Sequence, residues 1–198
     1  MATPFDRLMD TIRPHLPGSV DQAIRQELFS ACQEFFGESN VWREDCELVL
    51  KLDEDEAEIM PYTGQIKRLL YVTDSDGAPV RGVIMPDTVQ GSLKFPYKAN
   101  GDSNYTATVS ITPSDPISRD AFPIVPYDLV TKYWREIMWT LLAQMMVQPN
   151  KPYTDLSMAA LYNSKSKGGI ARARKTTNAG NTQNSQTWMF PQSFNRRK

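Results

Sequence analysis

Residues 127–147, YDLVTKYWREIMWTLLAQMMV, carry the strongest structural signal in the chain. Apolar side chains recur there at helical spacing, with Pro126 just before the segment and Pro149 just after it. Such a helix is about 30 Å long and its apolar arc is roughly 240° wide, whereas a surface helix needs only about 100°. We therefore predict burial on more than one side, with the second side facing the β region or another subunit. The candidate subunit-interface residues are Trp134, Met138, Trp139, Met145 and Met146.

Two helices are predicted upstream of this segment. The first dozen residues form a short amphipathic pattern, which ends at Pro14 and carries Phe5, Leu8, Met9 and Ile12 on one face. Ser19 and Gln22 then resemble a capping box that opens a second helix, and Gly37 is expected to end it.

A last helix is predicted over residues 155–175, with Thr154 as its cap. Gly168 and Gly169 interrupt its pattern, which indicates either a kink or the close approach of another backbone. The helix is strongly basic. Its cations, which we predict to form an interface with acidic protein or with phosphates, are Lys165, Lys167, Arg172, Arg174 and Lys175.

Between the helices, residues 41–116 change to a period of two, with turn residues at regular intervals. The predicted strands are 46–52, 65–73, 80–85, 92–95 and 105–112, with a hairpin turn at 74–77. The predicted fold is α+β. Residues 1–40 and 120–176 form a helical bundle body, 41–119 an antiparallel β insertion, and 177–198 an extended C-terminal arm.

Charge is divided unevenly along the 198 residues. The net charge is only −1, but residues 1–155 hold all 23 acidic and 14 basic side chains, while 156–198 hold eight basic and no acidic ones. This asymmetry is typical of a basic arm that binds nucleic acid, an acidic protein, or a second copy of the chain.

No apolar run approaches the roughly 20 residues that span a bilayer, and the start lacks a signal-peptide pattern, so we expect neither membrane insertion nor secretion. Cys32 and Cys46 are expected to be reduced.

The usual catalytic constellations are missing from the sequence. It has no phosphate-binding glycine loop, no zinc-binding HExxH and no GxSxG nucleophile, and its one histidine, His15, lies in a predicted turn. We therefore predict no enzymatic activity, no cofactor and no metal. The one dense group of reactive side chains is acidic, and we call it the acidic patch. We expect it to be a solvated loop or a docking surface. It comprises Asp53, Glu54, Asp55, Glu56 and Glu58.

Four stretches of sequence resemble a known family at both helical ends of the chain. They are IRPHLPGSVDQAIRQELFSACQEFF, SNVW, and MMVQPNKPYTD with ALYNSKSKGGIARAR. With the order of elements, they resemble the head-to-tail adaptors, or connectors, of short-tailed bacteriophages, the tail tubular protein A-like proteins. The resemblance implies a structural virion protein of the neck and tail, assembled in the host cytoplasm as a ring, dodecameric in this family.

The resemblance also implies partners for each part of the chain. The ring would lie between the portal protein and the tail nozzle protein and would enclose the channel through which DNA leaves. It would not bind the DNA sequence-specifically, and it would not contact a membrane. The β portion would face the tail or its fibres. The C-terminal arm would dock on the portal through Trp188, Met189, Phe190 and Phe194.

Two alternatives come from the residues themselves. The basic last helix could track phosphates in a DNA-binding packaging accessory, although it lacks the interleaved aromatic residues that grip single strands. The acidic patch could serve a carboxylate hydrolase acting on cell wall, provided that its carboxyl groups converge in a cleft.

Overall fold

The helices lie towards the two ends of the sequence, and the strands lie between them. The computed structural model describes residues 4–86, 91–115, 118 and 121–180. The helices are α1 (Pro4–Ile12), α2 (Asp21–Ser39), α3 (Tyr127–Met146) and α4 (Leu156–Asn178). The strands are β1 (Arg43–Leu50), β2 (Glu56–Glu58), β3 (Gln65–Asp74), β4 (Pro79–Val80), β5 (Ser92–Lys94) and β6 (Ser103–Thr112). The predicted α+β class is confirmed, and the strand pairing is antiparallel.

The strands form two sheets. One has four strands in the order β1-β6-β3-β4, and the other pairs β2 with β5. The predicted hairpin joins β3 to β4, where Gly77 has φ of 81° and its N–H donates to the Asp74 carbonyl. Strand bounds differ from the prediction: the expected strand 80–85 is reduced to Pro79–Val80, and the pairing of β2 was not predicted.

Helix α3 is surrounded by other helices of its own chain. It packs against α1, α2 and α4, and Ile137, Leu141 and Leu142 are fully buried at its centre. The predicted covering of its second side by the β region is therefore wrong, and a contact with another subunit stays a prediction for the part of α3 that is still exposed. Burial on several sides is correct, but intramolecular helix packing supplies it.

Both ends of α2 differ from the prediction. Val20 is the N-cap residue and no side chain caps the helix, so Ser19 and Gln22 form no capping box. Gly37 does not end the helix; it lies within it, where a Cβ would be 3.4 Å from Cγ2 of Thr112 on β6. The helix ends instead at Asn40, which adopts a left-handed conformation with φ of 54°. Position 37 therefore lies where α2 meets the sheet, at ordinary van der Waals distance from β6.

Helix α4 runs without interruption through Gly168 and Gly169. A Cβ at Gly168 would meet no described atom within 4 Å, whereas one at Gly169 would lie 2.5 Å from Cγ of Glu136 on α3. The second glycine therefore allows close packing of α4 on α3, against a side chain rather than another backbone. The helix is capped by Asp155 and not by the predicted Thr154.

No helix among the described residues combines the length and the apolarity that a membrane crossing requires.

Gly64 immediately precedes β3 and packs closely against β6. Its φ is +68°, and a Cβ would lie 2.5 Å from both Cγ2 of Ile111 and the Thr112 carbonyl oxygen. Gly77 has a similar φ with open space around it, and Gly101 has open space without a positive φ.

We predict that Gly77→Ala costs about 1–2 kcal/mol of unfolding free energy, the usual penalty for an L residue in this conformation. Gly64→Ala should cost more, because steric overlap adds to that penalty, and Gly101→Ala should be close to neutral. Urea unfolding of the three variants measures the order. Equal losses for Gly64→Ala and Gly77→Ala would contradict the packing described here.

Candidate functional site

The predicted basic residues lie on helix α4, and the side chain of Asp155 caps the N-terminus of this helix. The Asp155 carboxylate accepts hydrogen bonds from the backbone N–H groups of Ser157 and Met158, each at 3.0 Å, and from the Ser157 hydroxyl at 2.7 Å. The Met158 N–H is the largest of several hydrogen bonds that hold the pKa of Asp155 below its usual range. The carboxylate is therefore ionised and caps the helix at neutral pH. Its contribution to stability is lost only when the pH falls below the ordinary pKa of Asp and the carboxylate is protonated.

Only one of the five basic side chains on α4 forms an ion pair inside the described chain. The guanidinium of Arg174 bonds Glu38 on α2, through its backbone carbonyl at 2.7 Å from Nε and its carboxylate at 3.1 Å from Nη2. Lys165 lies over the rings of Tyr162 and Trp139, with Nζ 5.7 and 5.9 Å from the centroids. The four exposed cations without a carboxylate partner among the described residues are Lys165, Lys167, Arg172 and Lys175.

The predicted subunit-interface residues on α3 divide into two groups. Met145 is fully buried and Met146 is 5 % exposed, so both belong to the interior of the chain and the prediction for them is corrected. They point into the helix packing because α3 is enclosed near its C-terminal end. Trp134, Met138 and Trp139 are partly exposed and retain surface for a second protein.

The acidic patch borders an open concavity of about 1020 Å³ beside β2 and β5. Lys94 on β5 pairs with two of its members, with Nζ 3.5 Å from Asp55 and 3.4 Å from Glu56, and the hydrogen bond to Glu56 is the main reason that the Lys94 pKa is raised. Asp53, Glu54 and Glu58 are exposed. Within the described ranges no three His, Cys, Asp or Glu side chains converge so as to hold a metal ion. This arrangement suits electrostatic contact.

The predicted portal-docking residues of the C-terminal arm lie outside the described residues; they are Trp188, Met189, Phe190 and Phe194.

Sequence reasoning missed one surface, a groove of about 540 Å³ between α2, α3 and α4. We call it the α3–α4 groove, and its lining is Glu27, Glu34, Thr140, Ala143, Gln144, Val147, Leu156, Ala159, Ala160, Asn163 and Ser166. The alanines on the two facing helices were the signal that could have found it, because small side chains leave space between packed helices.

A buried pair of hydroxyl groups forms part of the groove's lining. Oγ1 of Thr140 on α3 lies 2.6 Å from Oγ of Ser166 on α4, and the Thr140 hydroxyl also donates to the Glu136 carbonyl at 2.9 Å. The Thr140 proton is thus committed to its own helix, and Ser166 must be the donor between the helices. This hydrogen bond connects α3 to α4 where the groove opens.

No family model matches the sequence, and no curated protein matches it either.

A double-mutant cycle tests this hydroxyl pair. Thr140→Val should cost about 1–3 kcal/mol of unfolding free energy, because it leaves the Ser166 hydroxyl buried without its acceptor. Adding Ser166→Ala to that variant should recover most of the loss, since neither polar group then remains unpaired. Additive losses in urea unfolding would show that the two side chains do not interact.

Proposed function

We propose that this protein is a head-to-tail adaptor of a short-tailed bacteriophage, a structural virion protein without enzymatic activity. Its copies form a ring between the portal and the tail nozzle, around the channel through which DNA leaves. In this proposal the helices form a bundle-like body, the β portion faces the tail, and the residues after Asn178, where α4 ends, form an arm that docks on the portal.

The observation that carries the proposal is the separation of opposite charges on one subunit. Helix α4 holds five basic and no acidic residues, and four of its cations find no carboxylate among the described residues. The acidic patch lies in the β2 region, outside the helices, with Lys94 as the one cation that neutralises part of it within the described chain. Unlike surfaces on the same subunit favour head-to-tail contact between copies, which closes into a ring when the rotation permits.

Partly exposed apolar side chains on α3 support the same proposal. Trp134, Met138 and Trp139 keep part of their surface uncovered by the described residues. Aromatic residues and methionine are enriched at protein interfaces, where a few such side chains supply most of the binding energy. A subunit contact at this face would combine apolar area from α3 with the charges of α4.

The α4 cations are placed at protein interfaces in this proposal and not along the channel. A strongly basic wall would bind phosphates and slow the passage of DNA. Carboxylates of a neighbouring subunit or of the portal would instead satisfy Lys165, Arg172 and Lys175.

Charge reversal on α4 tests the proposal. The variant Lys165→Glu/Arg172→Glu/Lys175→Glu should need a protein concentration at least about tenfold higher to form rings with the portal, because like charges would then face each other. The matched control is Lys51→Glu/Arg81→Glu/Lys98→Glu, which reverses three exposed cations of the β region and should assemble like the unmodified chain.

Negative-stain imaging of each protein mixed with portal counts the rings. Absence of rings from the unmodified chain would contradict the adaptor proposal. Rings from the α4 variant at the same concentration as from the control would contradict the role given to the charges.

The unpaired α4 cations also favour a second candidate, a DNA-binding packaging accessory. Duplex DNA binding through these residues would weaken steeply with salt, with a slope close to the number of phosphates contacted. Filter binding across a salt series distinguishes the two functions, because the adaptor should retain little DNA at about 0.1 M salt, where screening is already substantial.

A further inference from the structure

The α3–α4 groove exposes apolar surface that no described residue covers. Val147 at the end of α3 is 55 % exposed and Leu156 at the start of α4 is 67 % exposed. Ala143 and Ala160 continue the apolar lining between them. A concavity that combines exposed apolar side chains with a few polar groups is a candidate binding site.

The polar groups of the groove define what would fill it. Oε1 of Gln144 is buried and accepts no hydrogen bond from the described residues, while its Nε2 donates to the Glu34 carboxylate at 2.7 Å. Glu27 is about half buried, and this burial raises its pKa. Neither glutamate has a cationic partner among the described residues. The groove therefore suits a ligand with apolar side chains, an N–H donor and positive charge.

The chain's own C-terminal segment, residues 181–198, has this chemistry. It contains no acidic residue, and its last three residues, Arg196, Arg197 and Lys198, are all basic. Upstream of them lie Trp188, which combines an apolar ring with an N–H donor, and Phe190.

The segment is long enough to reach the groove of its own chain. Helix α4 ends at Asn178, and Gly180 follows with φ of 68°, a conformation that turns the backbone away from a helix axis. From Asn178 the groove residues Ser166 and Ala160 are about 18 and 27 Å back along the helix, at 1.5 Å per residue. Residues 181–188 can span about 26 Å when extended, which brings Trp188 level with the groove.

We propose that residues 181–198 dock into the α3–α4 groove of the same chain, with aromatic side chains against Val147 and Leu156 and with the terminal cations near Glu27 and Glu34. The docking segment comes from the same chain, because a tethered segment has a far higher effective concentration than one on another molecule. The proposal does not rest on the adaptor function. If both hold, the segment leaves the groove when it docks on the portal.

Disulfide trapping in the full chain tests the docking. The variant Asn163→Cys/Gln192→Cys places one thiol at the groove and one in the segment, at positions that replace none of its aromatic or basic residues. The control Leu161→Cys/Gln192→Cys uses an exposed residue of the same helix that does not line the groove. The native thiols stay out of the reaction, since Cys32 and Cys46 are buried and burial raises the pKa of both.

Under a mild oxidant at low protein concentration, the groove pair should close within single chains at least about tenfold faster than the control pair, because docking raises the local thiol concentration. Adding Ala160→Trp, which fills the groove, should slow it to the control rate, whereas Leu161→Trp should not. Circular dichroism checks that each variant is folded. Equal rates for the two pairs, or a disulfide that joins two chains, would overturn the proposal; non-reducing gels show the difference.

Discussion

The enclosure of α3 by the other three helices is the constraint on which the rest of the structure depends. Ile137, Leu141 and Leu142 are fully buried, and α1, α2 and α4 all pack against the helix. The large apolar arc of α3 would be costly to expose, since each fully buried aliphatic side chain contributes about 1.5–3 kcal/mol. Chain segments more than one hundred residues apart in sequence are therefore held together by one helix.

This enclosure determines which surfaces remain for other molecules. Helix α4 packs on α3 through small or short side chains, such as Gly169 and Ser166, and leaves four of its five cations exposed. Ser166 and the alanines Ala143, Ala159 and Ala160 line the groove between α3 and α4. The cations and the groove are thus two results of one packing arrangement, and the proposed subunit contact and the proposed self-docking use different parts of α4.

The sequence predicted element types well where periodicity was long and uniform. Helices α1, α3 and α4 and the hairpin at Gly77 follow from local pattern, because side-chain spacing and turn chemistry act over a few residues. The ends of α2 did not follow, since Gly37 lies inside the helix beside Thr112, and Asn40 ends the helix by adopting a left-handed conformation. The partner of the second face of α3 was also missed. An apolar arc shows that a surface is buried and carries no information about which distant segment buries it.

Amide hydrogen exchange of the isolated, dilute protein tests the central claim most directly. If the chain alone encloses α3, the amides of residues 137–146 should exchange among the slowest in the molecule, and their rates should not change with protein concentration. Rapid exchange in the dilute monomer, with protection that appears only as copies associate, would contradict the account and return α3 to the role of a subunit interface.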